Sequence, residues 1–98
     1  MPIKYKNTDE DGTETYLLSD NGETIGNIKI NLALRMIMDI FVAEKHRRKG
    51  YGTQLIEHVE KIFMQKGVWK ISTTQINDES VGFIVKLKYT LSGSKTLT

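Results

Sequence analysis

Between Arg35 and Phe63 the chain changes its hydrophobic period once, and that change constrains most of what it can fold into. Arg35 to Val42 (RMIMDIFV) is apolar on both alternating faces apart from Asp39. A strand buried on both sides reads this way, and so does a short piece of buried helix. Its length, its β-branched content and the charged loop that follows favour the strand. From Gly52 onward, Leu55, Ile56, Val59, Ile62 and Phe63 fall on one face of a helix, with Gln54, Glu57, His58, Lys61 and Gln65 on the other. Glu57 and Lys61 add an i,i+4 pair, and Gly67 after Lys66 is the expected stop. Val68 to Ile76 then reads as a further strand. Strand, helix and strand in that order predict a right-handed parallel crossover.

The rest of the chain supplies strands to flank this unit. Ile3 to Lys6 reads as a short strand and Asn7 to Gly12 as a loop. Thr13 to Ser19 and Glu23 to Asn31 flank Asn21-Gly22, a strong signal for a type I′ hairpin. Asn77 can cap a helix over Asp78 to Lys86, with two acids in its first turn where the dipole favours them. Tyr89 onward can supply one or two short edge strands around Ser92-Gly93-Ser94. The order β-β-β-β-α-β-α-β predicts an α/β mixed sheet covered by helices. With 98 residues, the expectation is a single domain over 1–98.

Composition narrows the chemistry. The chain has no cysteine, which removes disulfides, Cys-based zinc sites and a thiol nucleophile. No run of eighteen apolar residues and no charged-then-apolar leader at Met1 is seen, so neither a membrane span nor a secretion signal is expected. A cytoplasmic protein is the expectation. The net charge of +2 is too small to imply nucleic acid by itself. Only Lys45 to Lys49 concentrates cations, while the acids cluster elsewhere (Asp9 to Glu14, Asp78-Glu79), which points to a local anion site.

That site is VAEKHRRKGYGTQL, Val42 to Leu55. A strand, then Arg-x-x-Gly-x-Gly, then a helix gathers several backbone N–H groups around one point. Glycine lets the backbone approach a ligand closely, and the helix N-terminus adds unpaired donors and partial positive charge. Together they can cradle a phosphate or diphosphate, with Arg47, Arg48 and Lys49 giving charge-assisted contacts. A plain strand–helix turn is the competing reading of two glycines before a helix. The dinucleotide fingerprint and the P-loop are both absent.

The segment MDIFVAEKHRRKGYGTQLIEHVEKI resembles motif A of the GCN5-related N-acetyltransferases (GNAT). Val42, Arg47, Gly50, Gly52, Leu55 and Ile56 fall at the motif's positions. The hairpin YLLSDNGETIGNIKI, with Gly26 at the usual small position, is similar to the family's second and third strands, and NDESVGFIVKLKY to its last helix. The resemblance spans Thr13 to Tyr89. It implies an acyl-CoA N-acyltransferase-like fold, a mostly antiparallel sheet with one parallel β-α-β crossover, and acetyl-CoA as co-substrate with no metal. It further implies that Arg47, Arg48, Lys49, Gly50, Tyr51, Gly52 and Thr53 bind the diphosphate. The backbones of Ile40 and Val42 would take the pantetheine arm, and Asn77 would touch the pantetheine or its adenosine side. The backbone N–H near Val42 would polarise the thioester carbonyl.

Two departures stand out. Ile84 occupies the position where many members carry a tyrosine that protonates the departing thiolate, leaving water, Tyr51 or Tyr89 as substitutes. The family's two helices between the first and second strands have no room in Asn7 to Gly12, so an open acceptor side is expected. That suits a protein lysine, an N-terminus, or completion by a second chain as a homodimer. Asp39, the one acid in its apolar strand, is the candidate base; an ion pair with Arg35 or Lys70 is the structural alternative. His58 and His46 read as solvated, and Met36, Met38 and Met64 as packing. The resulting expectation is an acetyl-CoA-dependent N-acetyltransferase acting by direct amine attack on the thioester. The alternatives are a GNAT-like protein that binds CoA without turnover, and nucleic-acid binding through Lys45 to Lys49, for which no aromatic platform is present.

Overall fold

The computed structural model describes residues 3–73, 87–90 and 93–97. Six strands form one sheet in the order β1-β2-β3-β4-β5-β6, with β1 Ile3–Thr8, β2 Thr13–Asp20, β3 Glu23–Asn31, β4 Met36–Val42, β5 Lys70–Thr73 and β6 Ser94–Thr96. All neighbours are antiparallel except β4 and β5, which run parallel and are joined by helix α1, Tyr51–Gln65. The crossover read from the sequence is therefore present. Asn77 and the expected helix over Asp78 to Lys86 lie outside the described residues.

Turns set the register. Asn21 and Gly22 both have positive φ, 51° and 79°, as a two-residue type I′ hairpin needs, and Asp20 pairs with Glu23 across it. The β1–β2 connection is shorter than expected, because Asn7 and Thr8 extend the strand and leave only Asp9 to Gly12 as the turn. Arg35 is not a strand residue: with φ 55° it belongs to the turn that closes with its N–H on the Leu32 carbonyl. Val68 likewise belongs to the helix stop. Its N–H bonds the Phe63 carbonyl and Gly67 N–H bonds that of Met64, with Gly67 at φ 76°, which is a Schellman motif.

Alternation divides the sheet chemically. The cross-strand rows Tyr16–Ile28–Ile40 and Leu18–Gly26–Val42 lie beneath α1. Leu18, Ile28, Ile30 and Ile37 pack there against Leu55, Ile56, Val59 and Phe63. The opposite face carries the rows Thr15–Lys29–Asp39 and Leu17–Asn27–Phe41. A sheet with one apolar and one largely polar face suits antiparallel strands that need a single covering layer.

His58 corrects the solvated reading. It is half-buried, with its ring edge-on to Tyr16 at 5.6 Å between centroids. Burial, with Lys61 nearby, holds its imidazole below the usual histidine range. The folded protein thus binds this proton less readily than the unfolded chain. Stability is complete above the ordinary histidine value of about 6.5 and declines as pH falls through the lower folded value. Melting curves at pH 7.5 and 5 should show a drop in wild type that is smaller in His58→Phe, which keeps the contact with Tyr16. Asp11 and Glu23, whose carboxyls are held low by hydrogen bonds, lose their contributions only in more acid solution.

Candidate functional site

The site begins at the C-terminal end of β4. Ala43 N–H bonds the Ile25 carbonyl at 2.8 Å, which makes Gly26–Val42 a non-hydrogen-bonded pair of the antiparallel ladder. By the same alternation Ile28–Ile40 is another. Ile40 and Val42 therefore turn both their N–H and C=O groups away from β3. Gly26 makes this register possible: a Cβ there would run into the Phe41 carbonyl oxygen and sit 3.2 Å from the Val42 Cα. Next to it β4 carries a bulge, since Lys29 pairs with Asp39 but Ile30 pairs with Ile37, leaving Met38 as the extra residue. Parallel pairing with β5 covers only Met36 and Ile37. From Ile40 onward no described strand pairs with this edge.

Two of the four outward groups are occupied by side chains. Ile40 N–H donates to Asp39 Oδ1 at 3.0 Å, and Arg47 Nε donates to the Val42 carbonyl at 3.0 Å. The Asp39 carboxylate thus lies at the outer edge of β4, and none of the ion pairs among the described residues involves it. The alternative pairing with Arg35 or Lys70 is not formed there. Among the described residues, Ile40 C=O and Val42 N–H have no partner and remain as an acceptor and a donor on that edge.

The loop after β4 gathers donors beside that edge. A 3-10 turn at Glu44–His46 leads into Arg47, after which Arg48 at φ 65° and Gly50 at φ 82° are both left-handed. Gly50 is the N-cap of α1, with no side-chain cap and no acid in the first turn. The N–H groups of Tyr51, Gly52 and Thr53 consequently receive no capping bond from the N-cap residue. A left-handed cap and uncapped amides are what an anion cradle needs. The cations divide by role. Lys45 and His46 both pair with Glu23 at the start of β3, His46 Nε2 at 3.3 Å from Oε1, and this holds the Glu23 carboxyl below its usual range. Arg47 reaches back to Val42, while Arg48 and Lys49 are exposed with no side-chain partner among the described residues. His46 is not solvated as expected: its side chain is 18% exposed and its ring meets Tyr51 edge-on.

Residues 2–89 match the acetyltransferase (GNAT) family. The chain belongs to that family. Among solved structures it is similar to a GCN5-related N-acetyltransferase from Rhodopseudomonas palustris, at 21% identity and TM-score 0.70, covering 78% of this chain and 46% of that one. It is also similar to PaiA N-acetyltransferase from Thermoplasma acidophilum, solved in complex with coenzyme A, at 19% identity and TM-score 0.69, covering 86% and 60%. A putative acetyl transferase from Pyrococcus furiosus gives 22% identity and TM-score 0.72, covering 83% and 61%. The chain thus spans about half to three-fifths of the length of these structures. No curated protein matches it. The GNAT fold is a mixed sheet with parallel β4 and β5, as found here.

Within this GNAT domain, Asp39, Ile40, Val42 and Arg47 to Thr53 line one continuous stretch from the β4 edge to the first turn of α1. Asn77 and Ile84 lie outside the described residues. Tyr89 is removed as a substitute acid. Its hydroxyl donates to Glu60 at 2.8 Å, and burial together with the Glu60 charge pushes it far above the ordinary phenol value. Sequence reasoning missed the Arg47–Val42 bond, which needs the loop to fold back on its own strand, and the Glu23 pairings, which join elements that only the β3–β4 register brings together.

Proposed function

We propose that this GNAT domain binds acetyl-CoA and transfers the acetyl group to an amine, with a protein lysine or N-terminal amine as acceptor. The observation that carries the reading is the outward donor–acceptor pair, Val42 N–H and Ile40 C=O, running directly into an uncapped helix N-terminus at Gly50. One donor and one acceptor on a strand edge suit an extended arm bearing amides. The backbone from Arg47 to Thr53, with the exposed Arg48 and Lys49 side chains, suits its diphosphate. The residues present therefore fit CoA, which supplies an acetyl group already activated as a thioester.

The chain's own groups then have definite tasks. Val42 N–H, turned away from β3, donates to the thioester carbonyl oxygen as charge grows on it. Asp39 takes the proton that the attacking amine gives up, as the C–N bond forms and the C–S bond breaks. Water supplies the proton for the departing sulfur. The four-residue turn Asp9 to Gly12, where many members place two helices, supports an acceptor side unroofed by this part of the chain, hence a polypeptide acceptor.

Titration calorimetry with CoA tests the reading first. Gly50→Val forces a β-branched residue to φ 82°, a strain of about 1–2 kcal/mol. If the loop relaxes to relieve it, CoA affinity should fall about tenfold, since 1.4 kcal/mol is a factor of ten. Acetyl-CoA carrying a labelled acetyl group, offered to lysine and N-terminal peptides, then tests transfer. CoA binding without label on any acceptor would favour the non-transferring alternative, and no binding at all would sink both.

A further inference from the structure

We propose that Arg47 is a positioning residue for the acyl end of the site, locking the Val42–Ala43 peptide, and not simply another cation for the diphosphate. The inference rests on the acetyl-CoA reading of the β4 edge for its functional part and on geometry alone for its structural part.

A trans peptide points its C=O and N–H in opposite directions. The unit joining Val42 to Ala43 is held at both ends. Its N–H bonds the Ile25 carbonyl at 2.8 Å, and its C=O receives Arg47 Nε at 3.0 Å. The turn between them is fixed too, since His46 N–H bonds the Ala43 carbonyl at 2.8 Å and Arg47 N–H that of Glu44 at 3.2 Å. Arg47 thus closes a small ring back onto the strand it has just left, immediately before the left-handed Arg48. The diphosphate cradle and the strand edge are connected through this one side chain.

The chemistry gives the contact its purpose. The Val42 carbonyl faces outward beside the N–H that would meet a developing oxyanion, and an uncovered carbonyl dipole there would repel that charge. An N–H donor from Arg47 on the carbonyl oxygen covers that dipole. A hydrogen bond to a charged donor is also stronger than a neutral one, so the peptide plane is held more firmly.

The test separates donor from charge. Arg47→Leu removes both; Arg47→Gln removes the charge but keeps an N–H donor. Amide exchange measured by NMR without ligand should show Ala43 N–H exchanging about tenfold faster in the leucine variant. The glutamine variant should recover to within about threefold of wild type, as should CoA affinity measured by calorimetry. Unchanged Ala43 exchange in Arg47→Leu overturns the lock. Equal loss of CoA affinity in both variants overturns the positioning role and makes Arg47 a diphosphate cation. If wild type binds no CoA, the acetyl-CoA reading fails, and the exchange result still decides the lock.

Discussion

Asp39→Asn should lower kcat for acetyl transfer by about 10²-fold or more, the range a general base contributes, while leaving CoA affinity within about twofold of wild type, as expected of an interaction used only in the chemical step. The substitution isolates one property. The carboxamide oxygen of the variant can still accept from Ile40 N–H, which Asp39 Oδ1 holds at 3.0 Å, so the strand edge keeps its shape. What disappears is the capacity to take a proton. Asp39→Ala removes the backbone contact as well and should raise the acetyl-CoA KM in addition to lowering kcat. The two variants together distinguish proton transfer from edge geometry. An asparagine variant with wild-type kcat would place the base elsewhere, for example in a water chain.

Local chemistry made the turns and caps around these elements readable from the sequence. The Asn21-Gly22 turn required two left-handed residues and has them. Gly50 preceded an amphipathic run and proved to be the left-handed cap of α1. Gly67 stopped the helix as a C′ glycine does. These features depend on residues within about one turn of one another, which is the distance over which backbone preference acts. Asp39 drew notice for the same local reason, as a charge in an apolar strand.

What could not be read depends on register. The extra residue Met38 is a property of the β3–β4 pair and leaves no mark in the composition of either strand. The Arg47–Val42 bond requires the loop to turn back on itself. Arg35 directly precedes the apolar run Met36 to Val42 and passes for its first residue, yet its positive φ belongs to the turn. His58 sat on the polar side of its helix by sequence alone, but Tyr16 on β2 covers it. Only Glu60 left a neglected clue: it stands four residues after Ile56 and three before Phe63, inside the apolar stripe of α1.

That clue leads to the largest expected loss of stability. Glu60 is 8% exposed, and its Oε2 accepts both the Tyr89 hydroxyl and Lys95 Nζ at 2.8 Å. The Lys95 side chain is 17% exposed, its ammonium 5.2 Å from the centre of the Tyr89 ring. Removing the carboxylate strands a buried hydroxyl and a largely buried ammonium together. Glu60→Ala should therefore cost about 3 kcal/mol, the lower end for breaking a buried pair because Lys95 keeps some solvent. For a domain of this size that corresponds to a fall of roughly 12–24 °C in Tm. The loss should concentrate on β6, which spans only Ser94–Thr96 and is tied to α1 through this cluster. Replacing all three partners at once, Glu60→Leu with Tyr89→Phe and Lys95→Met, removes every polar group and should recover most of the stability, since apolar groups of similar volume often match a buried pair. A triple variant as unstable as Glu60→Ala would mean that packing around position 60, and not stranded charge, sets the cost. Recovery would mean that the cluster chiefly selects where the C-terminal strand docks, adding little net stability of its own.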